Sequence, residues 1–267
     1  MNKLNVILLV GGKNTRLKNL NKKKFSAPKA LQKINSNNLI LHVIKNFTNN
    51  EFNNFILPIG HYKESFENFF KNRKRINGKK CSIFFDYKKY LKSINDAQNT
   101  INILLFNSGL NSNKAKRALM VINKLKLNEF AISYGDGVGD IKINDLYKKH
   151  IKSKCIASCA AVQPHSQYGH FIFRKKTSKK NIYTNDVIDF IEKPIIDDWV
   201  NIGYFFFKKK SINFFLKYYK DDLEMGIIKK IANNNKLLIH KHYGFWKSVD
   251  TQKDVKELSE ILKNDKK

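Results

Sequence analysis

The feature that most constrains the fold of this chain is the apolar run from Val6 to Val10, which continues directly into Gly11 and Gly12. A half-solvated strand alternates apolar and polar residues, whereas this run has no polar member and is rich in β-branched side chains. The run therefore predicts a strand buried on both faces, as in the parallel sheets of α/β proteins. The two glycines predict a tight turn at its carboxyl end.

Strand and helix patterns alternate after this first strand. Short apolar runs at 55–57, 81–85, 101–106 and 130–134 predict strands, and apolar residues at helical spacing between them predict helices. We expect an α/β fold with a doubly wound, mostly parallel mixed sheet of Rossmann-like type, whose ligands bind at the carboxyl ends of the strands. Strand patterns predominate from residue 155 onward, and we expect this second half to extend the same sheet.

Composition excludes several protein classes. The chain has 267 residues, of which 42% are hydrophobic and 27% charged, so it is neither disordered nor collagen-like. No apolar run approaches the roughly 18 residues that a membrane-spanning helix needs. The three cysteines, Cys81, Cys155 and Cys159, form no metal-binding or disulfide pattern. We expect one soluble cytoplasmic domain.

The formal net charge of +29 makes nucleic-acid binding the first function to consider. Only five of the 51 basic residues are arginines, however, whereas the readers of base edges depend on the bidentate guanidinium. The lysines are spread along every segment. This spread favours a lysine-rich solvated surface over a nucleic-acid interface, and either alternative would attract small anionic substrates.

The segment from Gly11 to Leu17, with Pro28 and Lys29 further along, is the first candidate binding motif. A glycine-rich loop after a strand lets backbone amides approach a phosphate closely, and Arg16 and Lys29 would supply cations. The alternative is an ordinary turn with solvated basic side chains. By itself, this segment does not decide between the two interpretations.

Together with four later segments, this loop resembles the motifs of the sugar nucleotidyltransferases. The four segments are Tyr134 to Val138, Phe190 to Pro194, Asn201 to Phe206, and Phe245 to Asp254. The first and last are similar to those of the glucose-1-phosphate cytidylyltransferase branch. The resemblance extends from about Lys3 to Leu262. It implies one GT-A-like nucleotidyltransferase domain over residues 1–267, with a nucleotide-binding half (about 1–150) and a sugar-phosphate-binding half (about 151–267).

The resemblance also implies roles for the residues that match the motifs. It places Gly11, Gly12, Thr15, Arg16, Lys29 and Arg117 at the nucleotide, Asp136 and Asp250 on a magnesium ion, and Glu192, Lys193, Asn201 and Gly203 at the sugar phosphate. Among these, Arg16, Lys29 and Lys193 are the expected catalytic residues. The implied partners are a nucleoside triphosphate and a sugar 1-phosphate, with no nucleic acid or membrane, and the implied assembly is a homo-oligomer.

The implied reaction joins glucose 1-phosphate to CTP, giving CDP-glucose and pyrophosphate for surface-polysaccharide or deoxysugar synthesis. Its nucleophile is already an anion, because the second pKa of a phosphate monoester is near about 6. The reaction therefore needs cations that offset the repulsion between two anions, and it needs no general base. Two carboxylates with phosphate oxygens suit magnesium, which agrees with Asp136 and Asp250.

The chain departs from the family motifs at four places, of which Asn14 in the glycine-rich loop and Ala30 after Pro28-Lys29 are two. Lys114-Ala115-Lys116-Arg117 replaces a Thr-Gly-Gly-Arg segment, and Ile202 replaces a glycine. Lys116 would either extend into solvent or place a new cation beside the bound phosphates. These changes affect base recognition and the sugar pocket, so another sugar phosphate or another nucleotide stays an alternative.

Two further alternatives change the class of function. One is a basic nucleic-acid-binding protein, and the other is a non-catalytic relative that binds nucleotide without turnover. His240 and His242 share one face of a predicted strand and could bind a metal, but the sequence shows no third ligand beside them. A solvated strand face is the alternative for this pair.

Overall fold

The structure is a computed structural model that describes residues 2–12, 28–96, 100–174 and 186–264. Its strands are β1 (Asn2–Leu9), β2 (Lys33–Ile34), β3 (Asn37–Asn38), β4 (Phe52–Ile59), β5 (Arg75–Ile76), β6 (Lys79–Phe84), β7 (Ile101–Asn107), β8 (Phe130–Tyr134), β9 (Gly137–Gly139), β10 (Ala157–Val162), β11 (His170–Phe173), β12 (Val187–Ile191), β13 (Val200–Phe207), β14 (Leu237–Lys241) and β15 (Trp246–Ser248). Thr15 and Arg16 lie outside the described residues.

The helices are α1 (Leu39–Asn49), α2 (Lys63–Lys71), α3 (Tyr87–Asp96), α4 (Lys114–Leu125), α5 (Ile143–Lys152), α6 (Ile212–Tyr218), α7 (Lys229–Asn233) and α8 (Gln252–Asn264). Short 3-10 turns cover Lys29–Leu31, Lys209–Ser211 and Tyr219–Asp221, and a π-helix covers Leu223–Ile228. Among the described residues, no helix has both the length and the apolar character needed to cross a membrane.

A nine-stranded mixed sheet forms the centre of the fold, in the order β14-β10-β13-β8-β1-β4-β7-β6-β5. Strand β1 runs parallel to both β4 and β8, and β7 runs parallel to β4 and β6. The second half of the chain joins through β13, which is antiparallel to β8 and β10. The predicted mostly parallel sheet is thereby confirmed.

Helices cover both faces of this sheet, which explains the apolar runs at 6–9 in β1 and 55–57 in β4. One face packs Val6 and Leu8 of β1 against α1, α2 and α5. The other face packs Ile7 against α4, α6 and the π-helix. Neighbouring residues of one strand therefore belong to different hydrophobic cores, and neither core tolerates a polar residue at these positions.

Two of the strands predicted in the second half do not join the sheet, which corrects the expectation that this half extends it throughout. Strands β11 and β12 pair only with each other among the described residues. Their apolar side chains are exposed, including Phe171 and Phe190 at 60% and 53%. Their apolar patterns resemble those of core strands, but the fold places no other described layer over them.

A smaller antiparallel pair brings distant segments together at the carboxyl edge of the sheet. Strand β9, just after β8, pairs with β15 near the end of the chain. Behind this pair, Val138, Val249 and Leu258 form a third core with β2 and α8. The pairing fixes where the loop after β15 lies relative to the end of β8.

Candidate active site

A cavity of about 610 Å³ opens at the carboxyl ends of β1 and β8. Its lining includes Gly11, Gly12, Lys29, Arg117, Asp136, Asn201 and Asp250. Of the predicted site residues, these seven are brought to one cavity. Glu192, Lys193 and Gly203 do not line it, and Thr15 and Arg16 lie outside the described residues.

Lys29 stands between the two predicted metal ligands. Its Nζ donates to Oδ2 of Asp136 and to Oδ1 of Asp250, at 2.8 Å in each case. The Lys29 side chain is 12% exposed, whereas the two aspartates are each more than a third exposed. We call Lys29, Asp136 and Asp250 the Lys29 cluster. Because one carboxylate oxygen of each aspartate points at the same position, this position stabilises a cation.

The sheet and the β9–β15 pair together explain why these side chains converge. Asp136 lies two residues after the end of β8, and its carbonyl oxygen accepts the N–H of Val249, the neighbour of Asp250, at 3.0 Å. The Asp254 carboxylate then accepts the N–H groups of Asp250 and Thr251 at 3.0 and 2.7 Å, which caps the start of α8. Burial raises the pKa of Asp254, but the hydrogen bonds from Thr251 and Asp250 outweigh it and leave this pKa below its usual range.

Close packing around Gly11 fixes the floor of the cavity. A Cβ on Gly11 would lie 2.7 Å from the carbonyl oxygen of Pro58 and from the Arg117 guanidinium. Only glycine at position 11 lets the chain pass between these two groups as it leaves β1. Gly11 and Arg117 also line an adjoining cavity of about 270 Å³, together with His61, Leu110, Asn111 and Ser112.

Arg117 is a buried cation without an acidic partner among the described residues. Its guanidinium donates to the carbonyl oxygens of Gly109 and Leu110 at 2.9 and 3.2 Å, and to the hydroxyl of Ser108. The residue is 3% exposed, and its burial lowers its pKa. These contacts hold the loop before α4 in place. A buried cation that only dipoles stabilise would gain from a nearby anion.

A second charged cluster lines the same cavity, and sequence reasoning did not find it. Nζ of Lys114 lies 2.5 Å from Oε1 of Glu224 and 3.5 Å from Oδ2 of Asp222. The hydroxyl of Tyr134 also donates to Oε1 of Glu224, at 2.5 Å. We call Lys114, Tyr134, Asp222 and Glu224 the Lys114 cluster. The one available signal was the acidic run at 221–224 in a strongly basic chain.

The predicted sugar-site residues lie in different surroundings. Asn201 lines the cavity, and its Oδ1 accepts the N–H of Gly203 at 2.7 Å. Gly203 has φ of +80° and lies under the Tyr134 ring, where a Cβ would come within 2.4 Å of that ring. Glu192 and Lys193 follow β12, are mostly exposed, and pair with each other at 3.5 Å.

The weaker candidates are assigned ordinary structural surroundings. Lys116 is exposed and does not line the cavity. His242 pairs with Asp140 at 2.9 Å, and the described residues contain no group of three or more histidine, cysteine or acidic residues that could hold a metal. Cys159 is buried, and burial raises its thiol pKa. A magnesium ion at Asp136 and Asp250 would therefore complete its coordination with substrate oxygens and water, which suits this ion.

Comparison with known proteins finds relatives that match nearly the whole chain. A glucose-1-phosphate cytidylyltransferase of Salmonella typhi is 25% identical over 94% of this chain and 93% of its own length. A protein of Bacillus subtilis (strain 168), named as a probable glucose-1-phosphate cytidylyltransferase, is 24% identical over 97% of this chain and 96% of its own.

Solved structures and a family model extend the comparison. An apo UDP-glucose pyrophosphorylase shares the fold with a TM-score of 0.66, at 15% identity, over 99% of both chains. A UDP-glucose pyrophosphorylase complexed with UDP-glucose gives a TM-score of 0.65, at 15% identity, over 98% of this chain and 99% of that one. The model of the family described as nucleotidyl transferase matches residues 5–264. This chain therefore belongs to the nucleotidyl transferase family.

Proposed function

We propose that this chain transfers a nucleoside monophosphate from a nucleoside triphosphate to a sugar 1-phosphate, with release of pyrophosphate. The Lys29 cluster is the observation that carries the proposal, because it joins one ammonium and two carboxylates beside the Gly11-Gly12 turn. Such a site suits phosphate oxygens together with the cations that neutralise them. The names of the relatives support CTP and glucose 1-phosphate as the substrate pair.

The residues present divide the work of this reaction. Gly11 and Gly12 bring the backbone close to the triphosphate, and Lys29 neutralises charge on it. Arg117 stabilises the loop before α4, which contributes to the lining of both cavities, and supplies a further positive charge. The smaller cavity, lined by His61, Leu110, Asn111 and Ser112, accepts the nucleobase. No side chain has to remove a proton, because the attacking phosphate is already anionic near neutral pH.

Asp136 and Asp250 fit a magnesium ion by their residue type and by their convergence on one point. When bound, this ion would polarise phosphate oxygens and reduce the repulsion between the two substrates. Lys29 holds the two carboxylates together in the structure and would pair with a phosphate when the ion takes its place. The exposed Glu192 and Lys193 would contact the sugar phosphate from the segment after β12.

A panel of triphosphates against a panel of sugar 1-phosphates, assayed by pyrophosphate release, tests this function. We expect turnover with CTP and glucose 1-phosphate above every other pair. A different preferred pair would change the substrates and keep the reaction class. Nucleotide binding without pyrophosphate release from any pair would contradict the proposed activity, and tight duplex DNA binding with a steep salt dependence would favour the nucleic-acid alternative.

A further inference from the structure

The hydrogen bonds of Glu224 leave part of its carboxylate free to accept from a ligand. Both the ammonium of Lys114 and the hydroxyl of Tyr134 donate to Oε1, at 2.5 Å each. No described residue donates to Oε2, although an ionised carboxylate offers about four acceptor sites. Glu224 lines the cavity and is 34% exposed. Its unused acceptor capacity matches ligand groups that donate, such as hydroxyls.

The charges of the Lys114 cluster point to the same kind of ligand. Two carboxylates face one ammonium, so this part of the cavity carries a net negative charge and disfavours phosphates and carboxylates. The N-terminus of α4 gives phosphate no alternative site there. The N–H of Lys114 donates to Asp222 at 3.0 Å, and the N–H of Lys116 donates to Asn113 at 2.8 Å. The Lys29 cluster has the same number of charged groups, but its two carboxylates converge on the site proposed for magnesium, and the bound ion would reverse the net charge there. Phosphates should therefore bind at the Lys29 cluster.

The backbone holds this acidic surface in a fixed place. Asp222 has φ of 69° and ψ of 173°, a conformation that residues other than glycine rarely adopt. The side chain of Asn113 donates to the carbonyl oxygens of Tyr219 and Lys220, at 2.9 and 3.1 Å, and so ties this turn to α4. A π-helix follows directly and contains Glu224. A strained, firmly bonded turn is suited to positioning a side chain.

We propose that Glu224 is a specificity-determining residue that accepts hydrogen bonds from ring hydroxyls of the sugar 1-phosphate and selects neutral sugars over uronic acids. Lys114 and Tyr134 are positioning residues that orient its carboxylate. Asn201 lies on β13, which pairs with the strand β8 that carries Tyr134, and both side chains line the cavity. This inference rests on the proposed function, since it names the class of sugar that the same site accepts.

The decisive experiment compares glucose 1-phosphate with glucuronic acid 1-phosphate in the wild type and in Glu224→Gln. We expect the wild type to prefer glucose 1-phosphate by tenfold or more in kcat/KM, at about the strength of one hydrogen bond to a charged group. Glutamine keeps the size of the side chain but removes its charge. In the Glu224→Gln variant, the preference for the neutral sugar should therefore fall at least about tenfold, chiefly through the KM for the sugar phosphate.

Asp221→Asn is the matched control. Asp221 is exposed and does not line the cavity. The control variant removes the same charge three residues before Glu224. This control should leave the preference unchanged, whereas a general effect of net charge would move both variants alike and overturn the inference. Calorimetric titration with the two sugar phosphates measures the same preference as binding. The inference can thus fail separately from the proposed activity, whose failure would appear as a wild type without turnover.

Two further outcomes would overturn the inference. The first is a Glu224→Gln variant with a raised KM for the triphosphate and an unchanged KM for the sugar phosphate, which would place Glu224 at the ribose. The second comes from the wild type with singly deoxygenated glucose 1-phosphates, and it needs no folded variant. Removal of the hydroxyl that meets Glu224 should weaken binding about tenfold, so a loss below threefold for every hydroxyl would contradict the proposal.

Discussion

The Lys29 and Lys114 clusters both place one lysine between two carboxylates in the same cavity, yet they differ in geometry. Lys29 is nearly buried and lies 2.8 Å from each aspartate. Lys114 is 40% exposed, and its distances to Glu224 and Asp222 are 2.5 and 3.5 Å. The first arrangement is symmetrical around one cation position. In the second arrangement, the side chains hydrogen-bond to each other, and their carboxylates can still accept further hydrogen bonds.

This difference teaches that similar ion-pair chemistry can serve two purposes in one cavity. In the Lys29 cluster, both carboxylates converge on one point, which suits a divalent cation that takes the place of the ammonium. In the Lys114 cluster, Tyr134 and the N-terminus of α4 already share the carboxylates. We therefore expect loss of the Lys29 cluster to reduce turnover, and changes in the Lys114 cluster to alter substrate preference.

The largest effect should come from Asp136→Asn and Asp250→Asn. Each variant keeps side-chain size but removes one of two charges that converge on the cation position, so we expect kcat to fall at least a hundredfold, about 3 kcal/mol of transition-state stabilisation. Pyrophosphate release measures this change. A kcat within about tenfold of the wild type would contradict the metal assignment. Thermal unfolding is the control, because loss of the fold would indicate a structural role instead.

The next effect should come from Lys29→Met, which removes the ammonium and keeps an unbranched side chain. We expect KM for the triphosphate to rise about tenfold or more, since a charge-assisted contact to phosphate is lost. Without nucleotide, the same variant should bind Mn²⁺ more tightly, because no ammonium competes for the two carboxylates. Electron paramagnetic resonance of free Mn²⁺ measures this affinity.

Lys63→Met is the control for charge, because Lys63 pairs only loosely with Glu67, at 3.7 Å, on the surface helix α2. It should change neither KM nor the affinity for Mn²⁺. Weaker or unchanged Mn²⁺ binding in Lys29→Met would show that the two carboxylates do not form the cation site.

A smaller effect is expected from Lys193→Ala, which tests a residue outside both clusters. Lys193 is 58% exposed, so water screens its charge and its contribution to binding is modest. We expect the KM for the sugar phosphate to rise severalfold while the triphosphate KM stays unchanged. Lys256→Ala, an exposed change on α8, is the control. A rise in the triphosphate constant alone would contradict the predicted role of Lys193.

Much of the fold could be predicted because β1 and β4 are buried on both faces and contain the apolar runs 6–9 and 55–57, while the apolar pattern of β8 is interrupted only by Ser133. The β11–β12 hairpin shows the limit of this reasoning. Phe171 and Phe190 occur in an equally apolar pattern, and whether another layer covers a strand depends on contacts that are distant in sequence. The order of the strands in the sheet is long-range information of the same kind.

The candidate site shows the same limit, because the sequence predicts the acidic residues of the Lys29 cluster and does not predict those of the Lys114 cluster. Asp136 and Asp250 belong to recognisable motifs, so the sequence alone predicts that they are site residues, although their roles stay predictions. Asp222 and Glu224 have no such motif. Their place in the cavity depends on an unusual backbone conformation at Asp222 and on hydrogen bonds between the turn and α4. Local sequence patterns carry neither kind of information, because both arise from tertiary contacts.

The smallest effect on activity should come from Lys116→Gly, which sharpens the contrast with Lys114 on the same helix. Lys114 lines the cavity, whereas Lys116 is exposed and only its backbone N–H is used, to cap α4. We expect kcat/KM to stay within twofold of the wild type for glucose 1-phosphate and for glucuronic acid 1-phosphate. Glycine should still lower the free energy of unfolding by up to about 1 kcal/mol, because it weakens the first turn of the helix. Chemical denaturation measures this loss. A selective loss of activity on the acidic sugar would instead show that the Lys116 ammonium reaches the substrate. Substrate preference would then depend on Lys116 as well as on the Lys29 and Lys114 clusters.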